Sequence, residues 1–310
     1  MDEFDLIKKY FVPISSNESQ SLSNDGAVFK PKKKLDYVVS TDTIIEKIHF
    51  SGEESPDLIA KKALRTNLSD LAAMGADPEY YSLSISLPKI KAKNFIKNFV
   101  KGLKEDQKEY KIKLLGGDLT SSPDLITITI NIIGTVPRGK SLSRSNSEVN
   151  DLIYVTGILG LSNIGLLNIN KKDRKYSQAK LKYYLPQPRV NFSSSIRDFV
   201  TSMIDISDGL VQDCRHLARE SNLEFVINLK NLPISKINLL SYEKRLNSAL
   251  IGGDDYELLF TSAPEYKEKI NKIAKIHGLK VTNIGYVKKG NNGQVTSNNK
   301  PINIDAYKHF

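Results

Sequence analysis

The sequence predicts an α/β protein, in the layered α+β sense, folded as two domains. Three observations carry this. Extended β-rich runs alternate with helical patterns along the chain, as when helices cover sheets. A polar stretch over Pro137–Asn150, with serines at Ser141, Ser143, Ser145 and Ser147, separates two halves. The length of 310 residues lies at the upper end of what one core organises. The predicted domains are residues 1–140 and 141–310.

In chain order, β-branched and aromatic residues predict strands over Leu35–Thr41, Tyr80–Leu87 and Leu125–Val136. Apolar periodicity predicts helices over Pro56–Met74 and Ala92–Tyr110 between them. The second half offers strands over Leu152–Thr156, Leu223–Ile227, Glu257–Ser262 and Val281–Val287. Its helices are predicted over Asp208–Glu220 and Pro264–His277. Lys288–Asn299 reads as an exposed turn between the last strands. No tandem repeat or low-complexity tract interrupts this order.

The helix from Pro56 is the most informative element. Ser55 suits its N-cap, Pro56 its first turn and Gly75 its end. At about 100° per residue, Ile59, Ala60, Ala63, Leu64, Leu71 and Met74 form one apolar stripe, and Asn67 and Asp70 fall inside it. A carboxylate aimed at a core needs a partner. A salt bridge, a cap or a metal ion would each serve.

Bulk composition narrows the function classes. Hydrophobic residues make up 40% and charged residues 26%, which is globular composition and excludes disorder. No apolar run approaches the roughly 20 residues that span a bilayer, so no membrane partner is expected. The acidic start, Met1–Asp5, lacks the regions of a signal peptide. Cys214 is the single cysteine, which fits a reducing cytoplasm and reads as a packing residue. A net charge of +10 suits an anionic substrate or a nucleic acid. The lysines are spread over turns and helix faces, as at Lys32–Lys34, Lys61–Lys62 and Lys171–Lys172, and no nucleic-acid motif accompanies them. A nucleic-acid partner is therefore not expected.

Aspartates recur in short segments: Ser23–Ala27 around Asp25, Ser40–Thr43 around Asp42, Gly116–Thr120 around Asp118, Asp205–Gly209, and Gly252–Glu257. Singly, each is ordinary turn chemistry. Asp42, Asp118 and Asp205 each follow an apolar run, which predicts strand ends, where layered α/β proteins gather ligands. The Gly116-Gly117 pair would let backbone approach a ligand. Oxygen-rich sites select hard cations such as Mg²⁺, and Mg²⁺ commonly bridges to polyphosphates. No Walker motif or protein-kinase signature occurs, so phosphoryl transfer would use another scaffold. His49 follows Asp42 closely and is open to a structural or a functional role.

Read together, these segments resemble the thiamine-monophosphate kinase family, whose superfamily includes aminoimidazole ribonucleotide synthetase and selenophosphate synthetase. The resemblance rests on Ser40–Thr43 with His49-Phe50, Asn67–Ala76, Gly116–Asp118, Ser143–Ser145, Asp151–Gly157, Pro186–Arg189, Asp205–Leu210 and Gly252–Leu258. It runs from near residue 20 to the C-terminus. It implies a two-domain aminoimidazole ribonucleotide synthetase-like fold, with a mixed N-terminal sheet used in homodimerisation and a C-terminal domain completing the active site. The implied activity is ATP-dependent phosphorylation of thiamine monophosphate to the diphosphate, by direct in-line transfer with no acid or base assigned.

By resemblance, Asp25, Ser40, Thr41, Asp42, Asp70, Asp118, Asp205 and Asp208 hold Mg²⁺. Gly117, Asp118, Arg144 and Ser207 contact ATP, and His49, Asp254 and Tyr307 contact the thiamine substrate. The chain departs from the family at Asn24, where an aspartate is usual, at Asp254, where glutamate is usual, and at Leu185, where arginine is usual. No cysteine lies near the N-terminus or at the C-terminus, unlike selenophosphate synthetase and the hydrogenase-maturation relatives. Aminoimidazole ribonucleotide synthesis, a catalytically reduced relative and a nonenzymatic anion-binding protein are the other readings.

Overall fold

A strand buries every second residue when one face is covered, and the first sheet shows this plainly. The computed structural model describes residues 2–237 and 240–303. Tyr307 lies outside the described residues. The chain divides into two compact units, Met1–Leu71 with Ala76–Gly139, and Ala72–Gly75 with Lys140 onward.

In the first unit, α1 (Glu3–Leu6) and short helical turns lead to β1 (Leu35–Ile45), α2 (Pro56–Ala73), β2 (Asp77–Leu87), α3 (Lys89–Tyr110), β3 (Lys113–Ser121) and β4 (Thr127–Pro137). The sheet has the order β1-β4-β2-β3. β4 runs antiparallel to β1 and β2, while β2 and β3 are parallel and joined through α3. Tyr81, Leu83, Ile85 and Leu87 of β2 and Ile128, Ile130 and Ile132 of β4 are buried, so one face of the sheet forms the core. Phe95, Ile96, Phe99 and Leu103 supply the buried stripe of α3.

α2 and α3 lie so close that a Cβ on Gly102 would sit 2.3 Å from the Asp57 carbonyl oxygen. Arg65 bridges them by bonds of 2.7 Å to both carboxylate oxygens of the fully buried Asp106. Breaking one partner of such a buried pair costs about 3–5 kcal/mol.

The second unit contains β5 (Leu152–Thr156), α4 (Leu161–Leu167), α5 (Ser177–Tyr184), α6 (Val190–Ile196), β6 (Ser202–Asp205), α7 (Leu210–Glu220), β7 (Glu224–Ile227), α8 (Tyr242–Ile251), β8 (Leu258–Ser262), α9 (Lys267–Ile276), β9 (Val281–Lys288), β10 (Val295–Ser297) and β11 (Lys300–Pro301). Its sheet has seven strands in the order β11-β10-β7-β9-β5-β8-β6. Among the described residues, only the β10–β7 pair of this sheet is parallel. Cys214 is fully buried in its core beside Leu210, Val211 and Leu217, the packing role expected of it.

The structure corrects several expectations. β1 continues to Ile45 because residues through Thr127 of β4 pair with it, so Asp42 sits within a strand. Asp118 likewise lies inside β3, held by parallel pairing with β2. Only Asp205 ends its strand. α2 is buried on nearly every side, including Arg65, Thr66, Asn67 and Ser69, and carries no single stripe. Lys62 is buried too, its Nζ donating to the His49 carbonyl at 2.9 Å. α4, α5, α6 and α8 were not predicted; α4, α5 and α6, at 7 to 8 residues, are too short to declare a period.

Candidate active site

Each unit carries a cluster of oxygen donors. In the first, Ser40 and Asp42 alternate with Thr41 along β1, so they point to the face that α2 covers. The Asp42 backbone N–H donates to Asn67 Oδ1 at 3.1 Å, and the Asn67 amide donates to the Ala63 carbonyl at 2.9 Å. The Ser40 hydroxyl donates to Asp70 Oδ2 at 2.5 Å. Burial, and then the neighbouring Asp70 carboxylate, push the Asp42 carboxyl up to about 6. A buried carboxyl whose proton affinity a second carboxylate raises fits a site where a cation lies between the two.

The other predicted residues of this unit lie elsewhere on it. Thr41 is exposed on the opposite face and accepts from the Asn131 amide at 2.6 Å. Asp118 pairs in register with Ser84, which pairs with Thr129 and so aligns with Thr43; this row faces away from Asp42. Asp25 and Asp118 line one cavity of about 380 Å³ with Asn24, Gly26 and Gly116. Its other walls include Phe11, Leu22, Leu83 and Ile85.

The glycine pair divides its labour. A Cβ on Gly117 would lie 1.8 Å from the Leu83 carbonyl oxygen, so the sheet itself demands that glycine. A Cβ on Gly116 or Gly26 would meet nothing within 4 Å, leaving open space beside the cavity. His49 accepts the Ile45 N–H on Nδ1 at 3.0 Å, so a neutral ring carries its proton on Nε2.

In the second unit, β6 delivers the buried Asp205 into the Ile206–Gly209 turn before α7. Asp208, Asp213 and His216 place one ligand atom each within 4.8 Å of one another. The Asp213 carboxylate accepts the backbone N–H of Asp208 at 3.3 Å and of Gly209 at 3.2 Å. Burial, then Asp205 and Asp208, push the Asp213 carboxyl well up. Burial, with Arg219 and Arg144 nearby, lowers the His216 ring. Arg144 is exposed on a segment that runs beside β6, where the Met203 N–H donates to the Ser143 carbonyl at 3.0 Å.

The loop Gly252–Glu257 is tied to this turn. The Asp254 N–H donates to the Ser207 carbonyl at 2.9 Å and the Tyr256 N–H to the Ile206 carbonyl at 2.8 Å. Gly253 allows the approach, since a Cβ there would lie 2.5 Å from the Ser207 oxygen. Asp255 accepts the Gly160 N–H at 2.5 Å and the Ser162 N–H at 3.2 Å, capping α4. Glu257 is buried against Lys182 at 2.7 Å and Arg189 at 2.7 and 2.8 Å. The Pro-x-Pro-Arg and Gly-Gly-Asp-Asp motifs, distant in sequence, thus meet through Arg189 and Glu257.

Sequence reading passed over Asp213, His216 and Lys182, and gave no role to Arg189, Tyr256 and Glu257 within the motifs that carry the resemblance. Asp213 and His216 share a helix face at i and i+3, a signal that helical periodicity offers. The others depend on long-range pairing.

The chain matches the family models described as AIR synthase related protein, N-terminal domain, over residues 23–136, and C-terminal domain, over 148–298. It is 37% identical to the thiamine-monophosphate kinase of Buchnera aphidicola subsp. Schizaphis graminum, over 100% of this chain and 99% of that protein. The crystal structure of thiamine-monophosphate kinase from Stenotrophomonas maltophilia K279a superposes with a TM-score of 0.85, at 32% identity and 91% coverage of each chain. A structure described as AaThiL complexed with AMPPCP and TMP gives a TM-score of 0.81 at 28% identity, covering 99% of this chain and 96% of that one. Two matched domains in order and identity along the full length establish that the chain belongs to the thiamine-monophosphate kinase family.

Proposed function

We propose that this chain is an ATP-dependent kinase that phosphorylates thiamine monophosphate to thiamine diphosphate by direct in-line transfer. The full-length match to thiamine-monophosphate kinases carries the reading, and a family structure described with AMPPCP and TMP agrees with it. The donor chemistry supports it. Asp42 with Asp70 in one unit, and Asp205, Asp208 and Asp213 in the other, gather negative charge that a cation relieves.

The residues proposed to hold Mg²⁺ are Asp25, Ser40, Thr41, Asp42, Asp70, Asp118, Asp205 and Asp208. Bound Mg²⁺ would neutralise phosphate charge and orient the transferring group. Gly117, Asp118, Arg144 and Ser207 are proposed for ATP, with Arg144 adding charge to the phosphates. His49 and Asp254, with Tyr307, are proposed for the acceptor. A phosphate monoester is largely dianionic at neutral pH, so its attacking oxygen needs no general base. The chain's own work is to position two anions against each other. No described helix is long and apolar enough to cross a membrane. The reading places the enzyme in the cytoplasm as a homodimer formed through its first unit, which leaves Val39 of β1 59% exposed.

Purified protein with Mg²⁺, ATP and thiamine monophosphate is expected to form the diphosphate, and EDTA to stop it. Folded protein that yields no product across a range of metal and salt conditions would sink the kinase reading.

A further inference from the structure

The Gly252–Glu257 loop alternates in a way its hydrogen bonds explain. Asp255 and Glu257 turn inward and are buried, one against the α4 N-terminus and the other against Lys182 and Arg189. Asp254 and Tyr256 turn the other way and remain half-buried. Both occupy the left-handed region, at φ 64° and 48°, where non-glycine residues are uncommon. Such strain persists only where the surroundings over-determine it, and it clusters at functional sites. Here the determinants are the bonds from Asp254 N–H to Ser207 and from Tyr256 N–H to Ile206.

The alternation sets the two outward side chains together, and the Tyr256 hydroxyl donates to Asp254 Oδ1 at 3.0 Å. We infer that Tyr256 is a positioning residue, holding the Asp254 carboxylate in the one orientation that receives the cationic, hydrogen-bond-donating part of the acceptor. This rests on the reading of Asp254 as an acceptor contact. A carboxylate fixed before binding loses less rotamer freedom when the acceptor arrives.

The test is steady-state kinetics on wild type, Tyr256→Phe, Asp254→Asn and the double variant, with each substrate varied. Phenylalanine keeps the ring and removes only the hydroxyl, so the melting temperature is expected to hold. Tyr256→Phe is expected to raise KM for thiamine monophosphate about tenfold, in line with losing a hydrogen bond to a charged group. KM for ATP and kcat are expected to stay within about twofold of wild type. The double variant should be no worse than Asp254→Asn alone, because the hydroxyl acts through that carboxylate.

An unchanged acceptor KM in Tyr256→Phe, an equal rise for both substrates, or losses that multiply in the double variant would each overturn the inference. An inert Asp254→Asn removes Asp254 from the acceptor site and the inference with it, yet leaves the kinase activity standing. Absent turnover in wild type overturns both, and is told apart because only that result lies in the parent protein.

Discussion

Asp42 and Asp70 occupy a corner between β1 and α2 where neither carboxylate can be freely hydrated. Burial weighs most on Asp42 and the Asp70 charge adds to it, raising the Asp42 carboxyl to about 6. Replacing Asp70 by asparagine removes the second influence, so the Asp42 carboxyl should titrate lower, by carboxyl-detected NMR. The metal-free variant should melt no lower than wild type, since a repulsion has gone. Turnover should fall by about a hundredfold or more if Asp70 holds Mg²⁺. Near-normal turnover would take Asp70 out of the metal set. Asn67, which sequence placed beside Asp70, is spent on the Asp42 backbone and on the preceding helical turn. The spacing alone marked both residues; which one faced a neighbouring charge was set by pairing with β1, invisible in a single helix.

Among the elements, the α4 N-terminus shows how burial outweighs favourable partners. Burial pushes the Asp255 carboxyl up to about 7, although the Gly160 N–H, Lys182 and the Ser162 N–H each pull it down. The unfolded carboxyl titrates near ~3.9. Between the two values the folded chain holds the extra proton, so this group's contribution to stability is present in acid and is lost as pH rises. Above about 7 the loss is complete and the curve flattens. Asp255→Asn keeps an oxygen for the Gly160 N–H and cannot ionise. Its melting temperature should therefore decline less than that of wild type from about pH 4 to pH 7. Melting curves that fall in parallel would exclude a raised Asp255. Long alternating strands and the α3, α7 and α9 helices were legible in the sequence because their periods repeat enough to register. α2 was marked instead by its length and its flanking Ser55, Pro56 and Gly75, although it is buried on nearly every side. β3 was legible only in its first half: the apolar run before Asp118 marked a strand expected to end there, and parallel pairing with β2 carries it through the Gly-Gly pair to Ser121. The aspartates were read as one set of donors, but their placement at strand ends held only for Asp205.

For the molecule as a whole, the net charge of +10 opposes association of copies, and salt screens that repulsion. The proposed homodimer should therefore strengthen as salt rises from low concentration. Sedimentation equilibrium should return twice the 34.7 kDa chain mass. Val39→Lys should shift that mass toward the monomer, by setting a charge on an exposed apolar position of β1. A monomeric wild type, or a variant that dimerises unchanged, would remove the first sheet from the interface. The two units are not separable at one point, because Ala72–Gly75 at the end of α2 belong to the second. The Ser193 hydroxyl bonds the Ala72 carbonyl, the Leu142 N–H bonds the Met74 carbonyl at 3.1 Å, and Arg197 donates to the Gly75 carbonyl at 2.6 Å. A chimera that exchanged only residues from Lys140 onward with a relative would graft a foreign half onto a native helix end. Recombination in this scaffold therefore has to carry the last turn of α2 with the C-terminal half, and a gene cut at the apparent boundary inherits a mismatched seam.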